Sequence, residues 1–535
     1  MLAHIFNKDT ENTNLLKPDI MKIKQLLMTA VLTVAALNVS AQDATINIHA
    51  DQPQSKISKD IYGHFAEHLG SCIYGGLWVG EDSPIPNING YRKDVFDALK
   101  ALQIPVLRWP GGCFADDYHW MDGIGPRSER PTLRNNNWGG TIEDNSFGTH
   151  EFLNLCEMLG CEPYITGNVG SGTVKEMAQW VEYMTSEGDT PMARLRRQNG
   201  RDKAWKVKFF GIGNEAWGCG GSMTPEYYSN EYRRFNTYLR DQPGNQLFRI
   251  ASGASDYDYN WTRVLMRNIG DRMQGISVHY YTVTNWGNKG KATIFSPEEY
   301  YLAIDKCLDV DNVLRKHCDI MNELDPRNRV ALMVDEWGTW WDEEPGTIAG
   351  HLYQQNALRD AMIASLMLNI FHNYTDRVKM ANIAQLVNVL QSMILTDQKG
   401  TGHMVLTPTY HIFNMYKPFQ EATHLPVDVN CMTMENARGN KVPLVSASAA
   451  KTTDGKYVLS LSNVSLDKEQ TISVEGVKAK NVTATILTSK QANDFNDFDH
   501  PDTVSPKTFK DVKVKGDKMT VKMPAKSIVV VQFSE

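Results

Sequence analysis

Two glutamates end apolar runs that are typical of buried strands. Glu215 ends the run Lys-Phe-Phe-Gly-Ile-Gly-Asn-Glu, and Glu336 ends the run Val-Ala-Leu-Met-Val-Asp-Glu. In a barrel of parallel strands the carboxyl ends of the strands converge on one face, so two such side chains can meet across a small cleft. Cleavage of a glycosidic bond requires one protonated and one ionised carboxyl group. The pattern therefore predicts a glycosidase site.

Polar side chains also stand at the ends of other strand-like runs. They are Glu67, Asn214, His279, Tyr281 and Gln385. Any single one could be a solvated or salt-bridged surface residue. As a set they are harder to explain by packing, because polar groups at buried strand ends are costly unless they have partners or a function. We expect them to line the same mouth of the barrel.

The elements that would position these residues alternate between apolar runs and amphipathic segments, which indicates repeated βα units. In residues 92–103, for example, Val95, Phe96, Leu99 and Leu102 fall on one helical face. Eight strand-like runs can be counted, at 61–67, 106–109, 163–166, 207–213, 248–252, 276–280, 330–334 and 381–387. They predict a (β/α)8 barrel over residues 61–405.

After residue 405 the sequence pattern changes to short runs in which apolar and polar residues alternate, as in strands with one buried face. Such runs occur at 456–461, 471–474, 482–487 and 527–533, and their alternation is typical of an antiparallel sandwich. Residues 44–50 show the same alternation before the barrel begins. We therefore predict a jelly-roll-like β-sandwich over residues 406–535, joined by an N-terminal strand from residues 42–60.

The first 41 residues have the pattern of an N-terminal extension followed by a signal peptide. Residues 21–41 combine two lysines, an apolar stretch and Val39-Ser40-Ala41, which fits a cleavage site before Gln42. The stretch is too short to span a bilayer comfortably, and no later segment reaches the ~20 apolar residues of a membrane helix. The sequence thus predicts a soluble exported protein, periplasmic or extracellular, with no membrane partner.

Composition restricts the class of partner further. The net charge of -7 disfavours nucleic acid and anionic membranes. The eight cysteines show no metal-type spacing, and export would permit disulfides. Whether any of Cys72, Cys113 and Cys219 are bridged is left open by the sequence.

Two motifs suggest other chemistry but fit their surroundings poorly. His64-Phe65-Ala66-Glu67-His68 matches a zinc-peptidase pattern, yet that pattern requires a helix and this segment favours a strand and a turn. The glycine-rich segment 167–172 lacks the Lys-Ser/Thr ending of a phosphate loop. We therefore predict neither a metal nor a cofactor.

Four segments together carry a family resemblance. They are Tyr62-Gly63-His64-Phe65-Ala66-Glu67-His68-Leu69-Gly70, Trp109-Pro110-Gly111-Gly112-Cys113, Gly213-Asn214-Glu215 and Asp335-Glu336-Trp337. In combination they resemble the α-L-arabinofuranosidases of glycoside hydrolase family 51, over most of residues 45–535. The resemblance implies an exo-acting enzyme that removes terminal arabinofuranose from arabinan, arabinoxylan or their oligosaccharides with net retention. It also implies a homo-oligomer, often a hexamer.

The resemblance further implies a role for individual residues. Glu215 would be the general acid/base and Glu336 the nucleophile. Asn214 would bind the sugar 2-hydroxyl and Glu67 other sugar hydroxyls. Cys113, Tyr281 and Gln385 are similar to residues that line the sugar pocket, and Tyr281 would also hold the nucleophile. Gln391 lies close to Gln385 in the sequence and is the alternative for its position. His279 is expected in the same pocket.

Several alternatives remain at this stage. Cys113 could be an inert packed thiol, and His279 could only satisfy a backbone carbonyl. The loop tryptophans 138, 217, 286, 340 and 341 could stack on sugars or simply pack. A related barrel glycosidase, such as a xylosidase or an endo-glucanase, is the alternative enzyme. A carbohydrate-binding protein without catalysis is the alternative from another class.

Overall fold

Eight parallel strands close into a barrel in the computed structural model of the chain, which describes residues 43–397 and 400–535. The chain first forms strand β1, Ala44–Ile48, outside the barrel. The barrel strands are β2 Gly63–Phe65, β3 Val106–Trp109, β4 Glu162–Gly167, β5 Phe209–Ile212, β6 Phe248–Ser255, β7 Gly275–Thr282, β8 Ala331–Thr339 and β9 Val378–Ala384. Pairing of β9 with β2 closes the ring. The predicted barrel is confirmed.

Helices surround the barrel strands. They are α1 Lys93–Leu102, α2 Thr149–Leu159, α3 Val174–Thr185, α4 Pro191–Gln198, α5 Pro225–Tyr238, α6 Tyr259–Ile269, α7 Pro297–Leu308, α8 Val310–Leu324, α9 Leu358–His372 and α10 Pro408–Tyr416. Threonine caps begin several of them: the Thr173 and Thr224 side chains accept from backbone N–H groups of the first turns of α3 and α5. In α1, Val95, Leu99 and Leu102 are buried as the periodicity predicts.

All eight predicted runs overlap a barrel strand, but several boundaries differ. The strand β8 extends to Thr339, so Glu336 lies within it and not at its end as predicted. Ile61 and Tyr62 belong to a 3-10 turn, Lys59–Tyr62, so the first strand is only three residues long. The last strand begins at Val378 and ends before Gln385. Apolar content alone cannot separate a strand from a buried turn beside it, which explains the differences in the first and last strands.

A two-sheet sandwich follows the barrel, as predicted. Its strands are β10 Thr423–Leu425, β11 Val427–Cys431, β12 Val445–Lys451, β13 Tyr457–Asn463, β14 Gln470–Glu475, β15 Lys480–Thr488, β16 Lys507–Thr508, β17 Val512–Lys515, β18 Lys518–Met523 and β19 Ser527–Ser534. One sheet has the order β11-β1-β14-β18-β17 and the other β10-β12-β13-β19-β15-β16. Ile46, Leu459, Ile472 and Val531 belong to the shared core.

The N-terminal strand does join the sandwich. In β1, Ile46 lies opposite Val429 in an antiparallel ladder with β11, and opposite Val474 in a parallel ladder with β14. The buried residues of β1 alternate, as expected for a strand with one face on the core.

The sandwich packs on the barrel through serines of one sheet face. Ser462 Oγ lies 2.9 Å from Ser365 Oγ of α9, Ser460 Oγ donates to Asn369 Oδ1 at 2.6 Å, and Ser448 Oγ lies 2.8 Å from His372 Nδ1. Because side chains alternate along a strand, the leucines between these serines face the other sheet. The polar contacts are buried and paired, which stabilises the position of the sheet against α9.

Short ladders and turns complete the described part. The ladders pair Asn87–Ile88 with Tyr91–Arg92, Leu133–Arg134 with Ile142–Glu143, Ile394–Thr396 with Met404–Leu406, and Thr433–Glu435 with Lys441–Pro443. Further 3-10 turns cover Cys113–Asp117, Trp120–Gly123, Arg127–Glu129 and Lys417–Phe419. No helix within these residues is long and apolar enough to cross a membrane.

A buried carboxyl group before the first barrel strand predicts a pH-dependent stability. Asp60 is 5% exposed and its Oδ1 has no hydrogen-bond partner, so burial raises its pKa from 3.8 to about 6. A carboxyl group whose pKa is higher in the folded state stabilises the fold at low pH, and this contribution is lost as pH rises through about 6. Asp60→Asn removes the charge that the wild type must bury at high pH. We therefore expect the variant to have a higher free energy of unfolding than the wild type at pH 8, and this gain should be about 2 to 3 kcal/mol larger at pH 8 than at pH 4.

Urea unfolding of the wild type and the variant at both pH values measures this difference. Asp51→Asn changes an exposed aspartate of the same segment and is the matched control. If Asp60→Asn shows the same pH dependence as the wild type, the burial of an ionised Asp60 does not limit stability.

Candidate active site

A cavity of about 180 Å³ opens among the loops that follow the barrel strands. This is smaller than the about 300 to 1,000 Å³ of sites for drug-sized ligands, and it suits a single small ring. Its lining includes Glu67, Cys113, Glu215, His279, Tyr281, Glu336 and Gln385, together with Trp138, Trp217, Trp286, Trp340, Leu69, Leu352 and Leu390.

Glu336 lies on β8 and is held from two sides. The Tyr281 hydroxyl donates to its Oε1 at 2.7 Å, and Arg108 Nη1 donates to its Oε2 at 3.1 Å. Both donors bind carboxylate oxygens and fix the side chain. Glu336 is 8% exposed and faces the cavity, so it is accessible to a ligand.

Glu215 follows β5 after a turn with unusual backbone angles. Gly213 has φ +84° and Glu215 itself has φ +38°, a region that residues with a side chain seldom adopt. The backbone oxygen of Glu215 accepts from the N–H groups of Gly218 and Gly220 at 2.7 and 3.1 Å. The turn points the carboxyl group toward His279, whose Nδ1 lies 2.8 Å from Glu215 Oε1.

The two glutamates meet across the cavity. Oxygen atoms of Glu215 and Glu336 lie within 4.8 Å of each other, and His279 Nδ1 lies 3.6 Å from Glu336 Oε2. Retaining glycosidases hold their two carboxyl groups about 5 to 5.5 Å apart, whereas inverting enzymes separate them by about 6.5 to 9.5 Å. The spacing matches the retaining arrangement.

The pKa values of Glu215 and of His279 are both raised, for different reasons. Burial, and then the nearby Glu336 charge, raise the pKa of Glu215 above its ordinary value, although the His279 bond opposes this. Burial by itself would lower the pKa of His279, but the carboxylates of Glu336, Asp335 and Glu215 outweigh it and raise that pKa to about 10. The surroundings thus shift Glu215 toward its protonated form, and it faces the Glu336 carboxyl group that Arg108 and Tyr281 bind. Acid-assisted glycoside cleavage requires one acid that protonates and a second carboxyl group that does not.

Glu67 is bound in the same cavity by three donors. Its Oε1 accepts from the Phe114 backbone at 3.0 Å and from Trp138 Nε1 at 2.9 Å, and its Oε2 accepts from Gln385 Nε2 at 2.8 Å. Burial and the Glu336 charge raise the pKa of Glu67 to about 7. The nearby Gln391 instead binds the backbone of Thr339 and of Asp360, so Gln385, not Gln391, lies at the cavity.

Asn214 is brought to the site but does not line the cavity surface. It is 2% exposed, and its Oδ1 accepts from Arg108 Nη2 at 2.5 Å. Its Nδ2 lies 3.9 Å from Cys219 Sγ. All eight residues predicted from the sequence therefore lie together. Seven of them line the cavity, and Asn214 lies beneath the lining residues.

Cys113 is bonded to Cys219, and this disulfide joins the loop after β3 to the loop after β5. The packed-thiol alternative for Cys113 does not apply to this bonded state. The remaining cysteines, Cys72, Cys156, Cys161, Cys307, Cys318 and Cys431, are free.

The disulfide predicts a thiol count. Of the eight cysteines in the sequence, six should react with a thiol reagent in denatured, unreduced protein, and eight after reduction. Cys219→Ser should give seven before and after reduction, because it leaves Cys113 without a partner. Eight reactive thiols in the unreduced wild type would contradict the pairing.

Aromatic side chains form one wall of the cavity mouth. Tyr281 and Trp340 lie with ring centres 5.0 Å apart, and Trp286 lies 5.4 Å from Trp340. Trp286 is 54% exposed. Trp341 does not belong to this wall, since it is buried and its indole donates to Asp360.

Three polar residues of the site were missed in the sequence. Arg108 lies inside β3 and contacts both Asn214 and Glu336. Asp335 precedes Glu336, binds His279 Nε2 at 3.1 Å and accepts from the Tyr164 hydroxyl at 2.6 Å. Asp116 follows Cys113 and binds backbone N–H groups of two loops. A charged residue within an apolar strand was the signal available for Arg108.

A closed (β/α)8 barrel with paired carboxylates at the carboxyl ends of its strands has the architecture of a barrel glycoside hydrolase. Comparison with known families narrows this class. Residues 98–294 match the model described as "Alpha-L-arabinofuranosidase 1 domain", and residues 335–527 match "Alpha-L-arabinofuranosidase C-terminal domain". The chain belongs to the α-L-arabinofuranosidases of glycoside hydrolase family 51.

Individual relatives agree with this assignment. The chain is 64% identical to an "Intracellular exo-alpha-L-arabinofuranosidase" of Bacteroides ovatus, over 96% of this chain and 100% of the relative. A crystal structure of the GH51 arabinofuranosidase from Xanthomonas axonopodis pv. citri is 46% identical, with a TM-score of 0.90 over 92% of this chain and 100% of that one. An arabinose complex of the Thermotoga maritima α-L-arabinofuranosidase is 28% identical over the same shares, with a TM-score of 0.79. These matches do not favour the xylosidase, endo-glucanase or non-catalytic alternatives.

The prediction of export is wrong. The Bacteroides ovatus relative, which aligns with 96% of this chain, is named intracellular, and this contradicts a periplasmic or extracellular location reached through a signal peptide. The residues that suggested the signal peptide lie outside the described part of the chain. The inference failed because lysines before a short apolar run are a compositional pattern, which does not by itself determine processing.

Proposed function

We propose that this arabinofuranosidase removes terminal α-L-arabinofuranosyl residues from the non-reducing ends of arabinan, arabinoxylan or their oligosaccharides, with net retention. The observation that carries the proposal is the spacing of Glu215 and Glu336, with oxygens within 4.8 Å. The small cavity supports exo action, since it has room for one terminal ring and not for a chain passing through.

In the first step Glu336 would act as the nucleophile. Its carboxylate oxygen forms a bond to the anomeric carbon while the glycosidic C–O bond breaks, and Glu215 donates its proton to the departing oxygen. The raised pKa of Glu215 favours the protonated form in which it can act as the acid. Arg108 and Tyr281 donate to the two oxygens of Glu336 and hold its carboxyl group in position.

In the second step Glu215, now ionised, would take a proton from water as the water oxygen attacks the anomeric carbon. The bond to Glu336 breaks, which releases arabinose and restores both carboxyl groups. His279 is bonded to Glu215 Oε1 and can stabilise the ionised form between the two steps.

The remaining predicted residues would bind the sugar. Glu67 presents a carboxylate that Gln385 and Trp138 orient, and such a group can accept from sugar hydroxyls. Asn214 would bind the 2-hydroxyl through Nδ2, because Arg108 already occupies its Oδ1. Cys113 would contribute its side chain to the cavity wall as half of the disulfide.

A panel of 4-nitrophenyl glycosides and unsubstituted arabino-oligosaccharides tests the function. We expect hydrolysis of the α-L-arabinofuranoside and release of arabinose from chain ends, with the initial product in the α configuration by NMR. Preferential cleavage of a xyloside or of internal β-glucan bonds, or initial product of inverted configuration, would contradict the proposal.

We also propose a homo-oligomer, with a hexamer as the form that the family resemblance implies. Multi-angle light scattering of the purified protein gives the mass directly, to be compared with 60.3 kDa for one chain. A single-chain mass at micromolar concentration would rule out a stable oligomer.

A further inference from the structure

Asp116 is a buried carboxylate beneath the loop that carries Glu215, and its role as inferred below rests on the proposed role of Glu215 as acid/base. Asp116 lies in the 3-10 turn Cys113–Asp117 after β3 and is 4% exposed. The mechanism proposed above does not use it. It does not line the cavity, and its carboxylate binds backbone N–H groups of neighbouring loops.

The Asp116 carboxylate binds the backbone of two other strand-end loops. Its Oδ1 accepts from the N–H groups of Val169 and Gly170 at 2.7 and 2.9 Å, in the loop after β4. Its Oδ2 accepts from the N–H of Asn214 at 2.8 Å, in the loop after β5. One side chain therefore fixes three consecutive strand ends relative to each other, and each bond satisfies a buried donor.

Glycines allow these loops to approach Asp116. A Cβ atom on Gly170 would lie 2.9 Å from Asp116 Cβ, and one on Gly220 would lie 2.8 Å from Asp116 Oδ2 and 1.9 Å from the Asn214 oxygen. Side chains at these positions would push the loops away from the carboxylate. The close fit around Asp116 is therefore built from residues of three loops.

The hydrogen bond from Asp116 to Asn214 constrains the backbone next to Glu215. It fixes the peptide unit that joins Gly213 to Asn214. The residues on either side of Asn214 both have positive φ angles, +84° at Gly213 and +38° at Glu215. Such backbone conformations persist only where the surroundings determine them. Asp116 supplies the fixed point before Glu215, and the N–H groups of Gly218 and Gly220 supply those after it.

We propose that Asp116 is a positioning residue for the acid/base: its carboxylate holds the Asn214–Glu215 backbone so that the Glu215 proton lies at the departing oxygen. A misplaced acid slows substrates that need protonation more than substrates that do not. Sugar leaving groups need the proton, whereas 4-nitrophenolate leaves readily without it.

Asp116→Asn tests this assignment, because an amide nitrogen cannot accept an N–H bond and leaves at least one loop without its partner. We expect kcat/KM to fall by about 100-fold on an arabinofuranosyl disaccharide but by less than about tenfold on 4-nitrophenyl α-L-arabinofuranoside. The ratio of the two values should thus change by more than about tenfold. Asp117→Asn, an exposed neighbour in the same turn, should leave both values unchanged.

A purely structural role would change stability without changing that ratio, so thermal unfolding is recorded for each variant. If Asp116→Asn does not fold, Asp116→Ser keeps a hydroxyl acceptor and replaces it in the comparison. An unchanged ratio in the folded variant, or loss of folding in both variants, overturns the positioning role alone. A wild type inactive on both substrates overturns the proposed function itself.

Discussion

Glu336→Ala is expected to reduce turnover on every arabinofuranoside by about 10⁴- to 10⁶-fold, the range seen when a catalytic nucleophile is removed. Without the carboxylate no covalent intermediate forms. Arg108 and Tyr281 would also lose the anion that they bind. Single-turnover and steady-state rates on both activated and natural substrates measure the loss.

Glu298→Ala is the matched control, since Glu298 is an exposed glutamate in the first turn of α7. It should retain full activity. Retention of more than about one hundredth of wild-type turnover by Glu336→Ala would contradict the assignment of Glu336 as nucleophile.

Glu215→Ala is expected to show a loss that depends on the leaving group. Oligosaccharide hydrolysis should fall by about 10² to 10⁴, the usual contribution of general acid–base catalysis, because a sugar oxygen then departs without a proton. An activated aryl arabinofuranoside should form the intermediate on Glu336 with a smaller loss. Removal of the base should then make the second step limiting.

Azide provides the decisive measurement for Glu215. It needs no general base, so it should restore turnover of the aryl substrate and yield an arabinosyl azide of retained configuration. Glu226→Ala, an exposed glutamate in α5, should show neither the loss nor the response to azide. If Glu215→Ala and Glu336→Ala lose activity equally on the aryl substrate and neither responds to azide, the two roles are wrongly assigned.

The pH profile should reflect the same division of roles. The pKa of Glu215 is raised by burial and by Glu336, and the acid must be protonated in the first step. Activity should therefore decline as pH rises through that raised pKa. The cause is local, since Glu215 and Glu336 oxygens lie within 4.8 Å.

Much of the fold could be predicted from the sequence because strand and helix patterns are local. Each of the eight apolar runs overlaps a barrel strand, and the alternation of residues 44–50 correctly placed β1 with the sandwich. Predictions were wrong where one local pattern fits two different structures or fates. Ile61 and Tyr62 are as apolar as strand residues but belong to a 3-10 turn. The lysines and apolar run of residues 21–41 did not determine whether the protein is exported.

The candidate site was predicted less completely. Polar residues near strand ends could be recognised because all barrel strands end on one face. Glu67, His279 and Tyr281 lie with the two glutamates at the cavity. Arg108 was missed because it lies within a strand. Its charge in an apolar run was a signal of a buried partner, but the sequence did not identify Asn214 and Glu336 as its partners. Gln385 could be separated from Gln391 only by seeing which one faces Glu67.

By itself the sequence determined the barrel, the sandwich and the two candidate catalytic glutamates, since these depend on periodicity and on which polar residues lie near the carboxyl ends of strands. Only the tertiary structure decided which distant groups meet. Arg108 reaches Glu336 across 228 residues, Asp116 reaches Asn214 across 98, and Cys113 bonds Cys219 across 106. These contacts depend on closure of the barrel, which sets the distances between strand ends, and no local pattern in the chain encodes those distances.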